Sequence, residues 1–316
     1  MNAFEGDGAV AMLLRRVCVG GGILCVALLL TALDPHTVGA AWDEFRQAIN
    51  GSISARGQIA PADPRSAEGA SKQLQGLDAQ EQAEMLLQDA IGSAARLRGS
   101  GTSNFALEQI HQRLGRWDGR LELTPRLATL LQVALNCDDR EVRAASLDLY
   151  LAAYRISRTP QGAARLRQRI AVQPASRPWA LWMLGALGNR GVEPDQALAA
   201  LLTYLRDPGE ETRYWAVEGL GVLGSDGTIQ PLLQVLHDDP SAKVKERAAC
   251  TLAQSGMLTR EQRMKAVPRL LDFAADPSFD VTEHLWIFQA LTEITGAREG
   301  NNAVAWRQWW TEHNHS

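Results

Sequence analysis

The chain has few of the residues from which active sites are usually built. Its 316 residues include four cysteines and six histidines. Cys18 and Cys25 share one apolar run, while Cys137 and Cys250 stand far apart. None has the spacing of a metal site, so the thiols read as small buried hydrophobes. Cys137 falls in a turn, where more exposure is expected. His36, His111, His237, His284, His313 and His315 are scattered. The close pair, His313 and His315, reads as a tail rather than a metal site. His237 ends a helix before two aspartates, where it suits the helix dipole. His284 has apolar neighbours and reads as a packing residue. Glycine-rich phosphate loops, Gly-x-Ser-x-Gly and His-Glu-x-x-His are all missing. No catalytic residue, cofactor or metal ligand is therefore assigned. Lysine is scarce as well: of 32 basic residues only Lys72, Lys243, Lys245 and Lys265 are lysines. That arginine excess reads as a composition bias of the genome. The net charge of −4 leaves no basic footprint for nucleic acid.

Long apolar runs are rare too, with one exception near the N-terminus. Val17–Leu33 is uncharged over 17 residues, the lower limit for spanning the hydrocarbon core of a bilayer. Arg15 and Arg16 precede it and Asp34 follows, which places the N-terminus in the cytoplasm and everything downstream outside it. Three consecutive glycines suit a membrane helix better than a soluble one. Two outcomes stay open. The segment is either an inner-membrane signal-anchor or a signal peptide cleaved near Ala40, after Val38-Gly39-Ala40. Residues 1–40 form this targeting region. Residues 41–76 are rich in Gly, Ser, Ala and Pro and read as a flexible spacer.

What the chain has in quantity is helix. It is 46% hydrophobic and 22% charged, as ordinary globular proteins are. Asp78 and Glu81 form a capping-box pattern before a helical run through Leu97. A second amphipathic helix spans Phe105 to Trp117. Residues 77–119 read as N-terminal capping helices for an array over 120–296. Its first unit opens at Thr124-Pro125, turns at Asp139 and continues from Val142 toward Tyr154. The second pairs Gly162–Ala171 with Arg177–Gly188. The third begins at Glu193-Pro194, turns at Asp207-Pro208 and runs over Thr212–Gly224. The fourth contains Leu232 and Leu233, turns at Asp239-Pro240 and enters a helix at Val244. The fifth has a capping box at Thr259 and Gln262, then Val267-Pro268, Leu270 and Leu271. It turns at Asp276-Pro277 and ends with a helix over Val281–Thr295. The leucine pairs at 201, 232 and 270 are 31 and 38 residues apart, a helical-repeat period. Each helix pair is too small to cover its own apolar face and must stack on the next. Ala144, Ala145, Ala216, Gly219, Ala248 and Ala249 would permit that close stacking. Trp306, Trp309 and Trp310 share one helical face within residues 297–316, read as a C-terminal cap and tail.

These units resemble HEAT repeats, of the short type found in phycocyanobilin lyase-like proteins. The resemblance rests on Pro231-Leu232-Leu233 with Asp239-Pro240 and Val244-Lys245, and on Val267-Pro268, Leu270-Leu271 with Asp276-Pro277 and Val281. Leu285 stands where the family has alanine. The resemblance implies an all-α fold, a right-handed α-solenoid of about five helix pairs. It is specific for fold and unspecific for function. The leading expectation is a non-catalytic scaffold of the bacterial cell envelope that holds a protein or peptide on its second helices. Candidate contact residues are Arg213, Glu218, Lys245, Glu246 and Gln289. Trp179, Trp182, Trp215 and Trp286 lie on second helices too, and read mainly as packing. Lys243, Lys245, Arg247, Arg260, Arg263, Lys265 and Arg269 form a basic stretch that reads as a solvated face. The alternative implied by the resemblance is a bilin-lyase-like enzyme or enzyme subunit. Export argues against it, because phycobiliproteins are cytoplasmic.

Overall fold

The computed structural model describes residues 74–96 and 104–313. The targeting segment 1–40, the spacer to residue 73, and Cys18, Cys25, His36 and His315 lie outside the described residues. Among the described residues every regular element is helical. None of these helices is long and apolar enough to cross a membrane. The chain divides into two compact units, residues 1–155 and 156–316.

The first unit contains α1 (Ala79–Arg96), α2 (Asn104–Trp117), α3 (Pro125–Leu135) and α4 (Arg140–Ala153). The starts of α1, α3 and α4 are fixed by local hydrogen bonds that the sequence announces. An Asp78 carboxylate oxygen accepts from the Glu81 amide at 2.8 Å, and Glu81 accepts from the Asp78 amide at 3.0 Å. This is a complete capping box. Thr124 Oγ1 accepts from Leu127 N at 3.1 Å, and Asp139 accepts from Glu141 N at 2.8 Å. α1 packs on α3 and α2 packs on α4. The α1–α2 pair thus stacks on α3–α4 first helix to first and second to second, as one more helix pair. Leu86, Leu87, Ile110, Leu131, Leu147 and Leu151 form its core.

The second unit contains α5 (Pro160–Val172), α6 (Arg177–Asn189), α7 (Pro194–Tyr204), α8 (Glu210–Leu223), α9 (Ile229–Asp238), α10 (Ala242–Ala253), α11 (Arg260–Met264), α12 (Val267–Phe273), α13 (Val281–Thr295) and α14 (Ala303–His313). The second helices α6, α8, α10 and α13 pack one on the next in a continuous layer. Helices α5, α7, α9 and α12 each pack against their own partner in that layer. Leu201, Leu232 and Leu270 are fully buried, each contributing about 2 kcal/mol of transfer free energy. α5 starts two residues before the expected Gly162, at Pro160. There Thr159 caps it by accepting from Gly162 N at 3.2 Å. The first helix of the last pair is split into α11 and α12. Pro268 has no amide to offer the carbonyl four residues back, so the helix breaks just before it.

Small residues set the spacing of the second-helix layer. A Cβ built on Gly185 in α6 would lie 2.2 Å from the Gly219 carbonyl oxygen in α8. One on Gly219 would lie 2.8 Å from the Leu181 carbonyl oxygen. The two backbones are therefore in direct contact, which only glycine at both positions allows. At the C-terminal end Trp306 is fully buried and donates Nε1–H to the Gly300 carbonyl at 2.8 Å. α14 packs on α12, and Arg307 reaches the Leu271 carbonyl at 3.1 Å and Asp272 at 3.2 Å. Trp306 is thus packed against this end, whereas Trp309 and Trp310 on the same helix are half-exposed.

Candidate interaction surface

The polar residues of the second helices divide into two groups. The first ties one helix pair to the next. Arg177, at the start of α6, meets Asp207 in the α7–α8 turn at 3.2 Å. Arg213, in the first turn of α8, meets Asp239 in the α9–α10 turn through two bonds of 2.8 and 3.1 Å. Its other terminal nitrogen donates to the Asp207 and Pro208 carbonyls at 3.0 and 3.2 Å. Lys245, in the first turn of α10, meets Glu283 at the start of α13 at 2.8 Å. A cation in the first turn of each of these second helices thus reaches an acidic residue in the turn before, or the first turn of, the next one. The turn aspartates serve twice. Asp207, Asp239 and Asp276 also accept from the amide two residues on, at 2.8, 2.8 and 2.9 Å. This is the local bond that makes aspartate a turn residue. A planar fork on a buried carboxylate is a strong, geometry-specific contact, and the bond to Asp239 raises the Arg213 pKa further above its ordinary value.

Buried cations beyond this ladder are satisfied too. Arg263 is 5% exposed. It donates to the carbonyls of Thr251, Leu252, Ser255 and Leu258 at 2.7 to 3.2 Å. Its partner is the C-terminal end of α10, where orphan carbonyls and the helix dipole favour a cation. Nothing in the sequence pairs Arg263 with residues 251–258, because the link is made by backbone oxygens. Lys243, Arg260, Lys265 and Arg269 of the expected basic stretch are exposed to solvent, and each has a partner there. Lys243 lies over the Tyr214 ring, Lys265 meets Asp226 and Arg269 meets Asp272. Arg260 donates to the Thr295 carbonyl at 2.9 Å.

Of the five candidate contact residues, Arg213 and Glu218 are buried and held inside the array, Glu218 by Arg247 at 3.2 Å. Lys245 is half-buried and engaged with Glu283. Glu246 and Gln289 are placed differently. On α10, Lys245 and Arg247 are about 200° apart around the axis and point toward opposite neighbours. Glu246 lies between them, about 160° from the fully buried Val244, on the side turned away from α9. Burial lifts the Glu246 carboxyl above the ordinary glutamate value, the Arg247 charge pulling partly back. On α13, Leu285, Trp286 and Gln289 share one half-buried face. Trp182 and Trp215 are buried packing residues, whereas Trp179 and Trp286 are half-buried. α10 and α13 are packed together, so a half-buried carboxylate and an apolar-amide face belong to adjacent second helices.

The histidines add packing rather than chemistry. His237 sits between Asp238 and Asp276 and lies against Phe273 and Phe279. His284 Nδ1–H donates to the Asp280 carbonyl at 2.9 Å. Among the described residues no group of three or more His, Cys, Asp or Glu is placed to hold a metal ion.

Residues 163–253, from within α5 to the end of α10, match the family model of HEAT repeats. Residues 163–253 carry HEAT repeats. The matched segment includes Arg213, Glu218, Lys245 and Glu246; Gln289 lies beyond it on α13. The match is to HEAT repeats as a class, without a finer subtype. No curated protein matches the chain.

Proposed function

We propose that this protein is a non-catalytic scaffold whose HEAT repeats hold a protein or peptide partner on the second helices, centred on Glu246 and the Leu285–Trp286–Gln289 face. The observation that supports the reading is the division among polar residues. Arg177, Arg213, Lys245 and Glu218 bind neighbouring pairs together. Glu246 is left half-buried beside an arginine committed elsewhere. A desolvated carboxylate next to an aromatic and an aliphatic side chain suits a partner that brings a cation flanked by apolar groups. HEAT repeats in general act by such contacts. The lyase alternative rests on the resemblance alone.

The proposed place of action is the bacterial envelope, with Val17–Leu33 as inner-membrane anchor and the repeats outside the cytoplasm. The alternative is a periplasmic or secreted protein cleaved near Ala40. A photo-crosslinking residue placed at 246 or 289 should give adducts in intact cells. The same residue at the exposed Gln234 on α9 should give none. Equal adducts at all three positions would remove the second-helix assignment. Mass spectrometry of the purified N-terminus and fractionation of the membrane decide between anchor and cleaved signal. A chain found wholly in the cytoplasm sinks both.

A further inference from the structure

We infer that the first unit carries a second binding site, independent of the second-helix surface, for a carboxylate-rich peptide segment. A cleft of about 640 Å³ lies between the start of α1 and the end of α2. Three arginines line it, Arg113, Arg116 and Arg120, against one carboxylate, Asp78. Three positive charges and one negative leave a local excess of two, in a chain whose net charge is −4. That count includes Asp78, whose oxygen accepts from the Glu81 amide as the cap of α1. The arginines of the repeat ladder all have acidic partners. Here Arg113 bonds only the neutral Gln109 of its own helix. The Arg116 and Arg120 side chains donate no hydrogen bond and join no ion pair among the described residues.

The bland explanation is that a basic last turn offsets the α2 dipole. That dipole amounts to roughly half a charge at the helix end, which one arginine satisfies, and three are present. Arg113 and Arg116 stand three residues apart on α2, and Arg120 comes from the turn that follows it, so two elements bring the three guanidiniums to the one cleft. The floor between them is rigid. Trp117 is 2% exposed and its Nε1–H points to Gln82 at 3.4 Å. Gln82 in turn donates to the Leu74 and Leu77 carbonyls at 2.9 and 2.8 Å. Forked donors above a fixed apolar floor suit carboxylates carried on an extended peptide, each guanidinium taking one carboxylate in parallel bonds. The global negative charge works against capture of long nucleic acids, whose attraction depends on a broad basic surface.

Fluorescence anisotropy with a labelled oligoglutamate peptide and the full chain tests the site. Oligoglutamate should bind, and more weakly as salt rises, while oligoglutamine should not. The exposed pair Arg116→Gln/Arg120→Gln should weaken binding by about tenfold or more with an unchanged melting temperature. Arg113→Gln, assayed separately because that side chain is half-buried, should weaken it further. Failure of oligoglutamate to bind overturns the inference, as does unchanged affinity in the double variant. Equal binding of an oligothymidylate also overturns it, by making the cleft a general polyanion site.

Discussion

At the residue scale, the array is held by charges whose roles depend on their partners. Arg213→Ala would leave Asp239, itself 7% exposed, without its fork. Breaking a buried pair from one side costs about 3 kcal/mol or more. Urea denaturation of this variant should show that loss, and a loss under 1 kcal/mol would mean that water replaces the guanidinium. Arg263→Met tests the capping of α10. It keeps the volume but strands four carbonyls, and should cost about 2–3 kcal/mol. Glu246 gives a pH signature. An acid that holds its proton more tightly folded than unfolded contributes stability below its unfolded pKa. That contribution fades as pH rises through the raised folded value. The native chain should therefore lose stability relative to Glu246→Gln as pH rises from the ordinary glutamate value through the raised one. Thermal melts of both across about pH 4 to 7 check the sign, and parallel curves would show that the carboxylate is not desolvated. The aspartates of the turns were legible in the sequence as turn residues. Their second role was not, because it needs Arg177 and Arg213 brought from about 30 residues away.

At the element scale, the same substitution should have opposite effects in two helices. Gly185→Ala places a Cβ 2.2 Å from a backbone oxygen of α8. Forcing the two helices apart should cost about 2 kcal/mol, which outweighs the gain of about 1 kcal/mol in helix propensity. Gly115→Ala in α2 meets nothing within 4 Å and should stabilise by about 0.5–1 kcal/mol. Denaturation midpoints of the two variants should move in opposite directions; movement in the same direction would refute the close crossing of α6 and α8. Helix starts were readable wherever the cap is local, as at Asp78, Thr124 and Thr259. Thr159-Pro160 carries the same cap-and-proline signal as Thr124-Pro125, which places the start of α5 before Gly162. The break before Pro268 follows from one missing amide. That α1–α2 stacks like a further pair was not readable, since its loop residues and spacing do not repeat those of the array.

At the scale of the whole molecule, an array must close its ends. Truncation after Gly296 removes the buried Trp306 and the Arg307 bonds to α12. It should lower the melting temperature and increase self-association, as an uncovered repeat end does. Calorimetry and size-exclusion chromatography would register both, and an unchanged melt would show that α14 is dispensable. Composition and periodicity determined by themselves that the chain is helical, that its pairs repeat, and where most helices start, because those properties rest on bonds within a few residues. Tertiary structure alone decided which charged side chains face inward and which remain available. Arg213 and Arg116 carry the same charge. Only the distance to a carboxylate in a neighbouring turn distinguishes a strut of the array from a group left to bind something else.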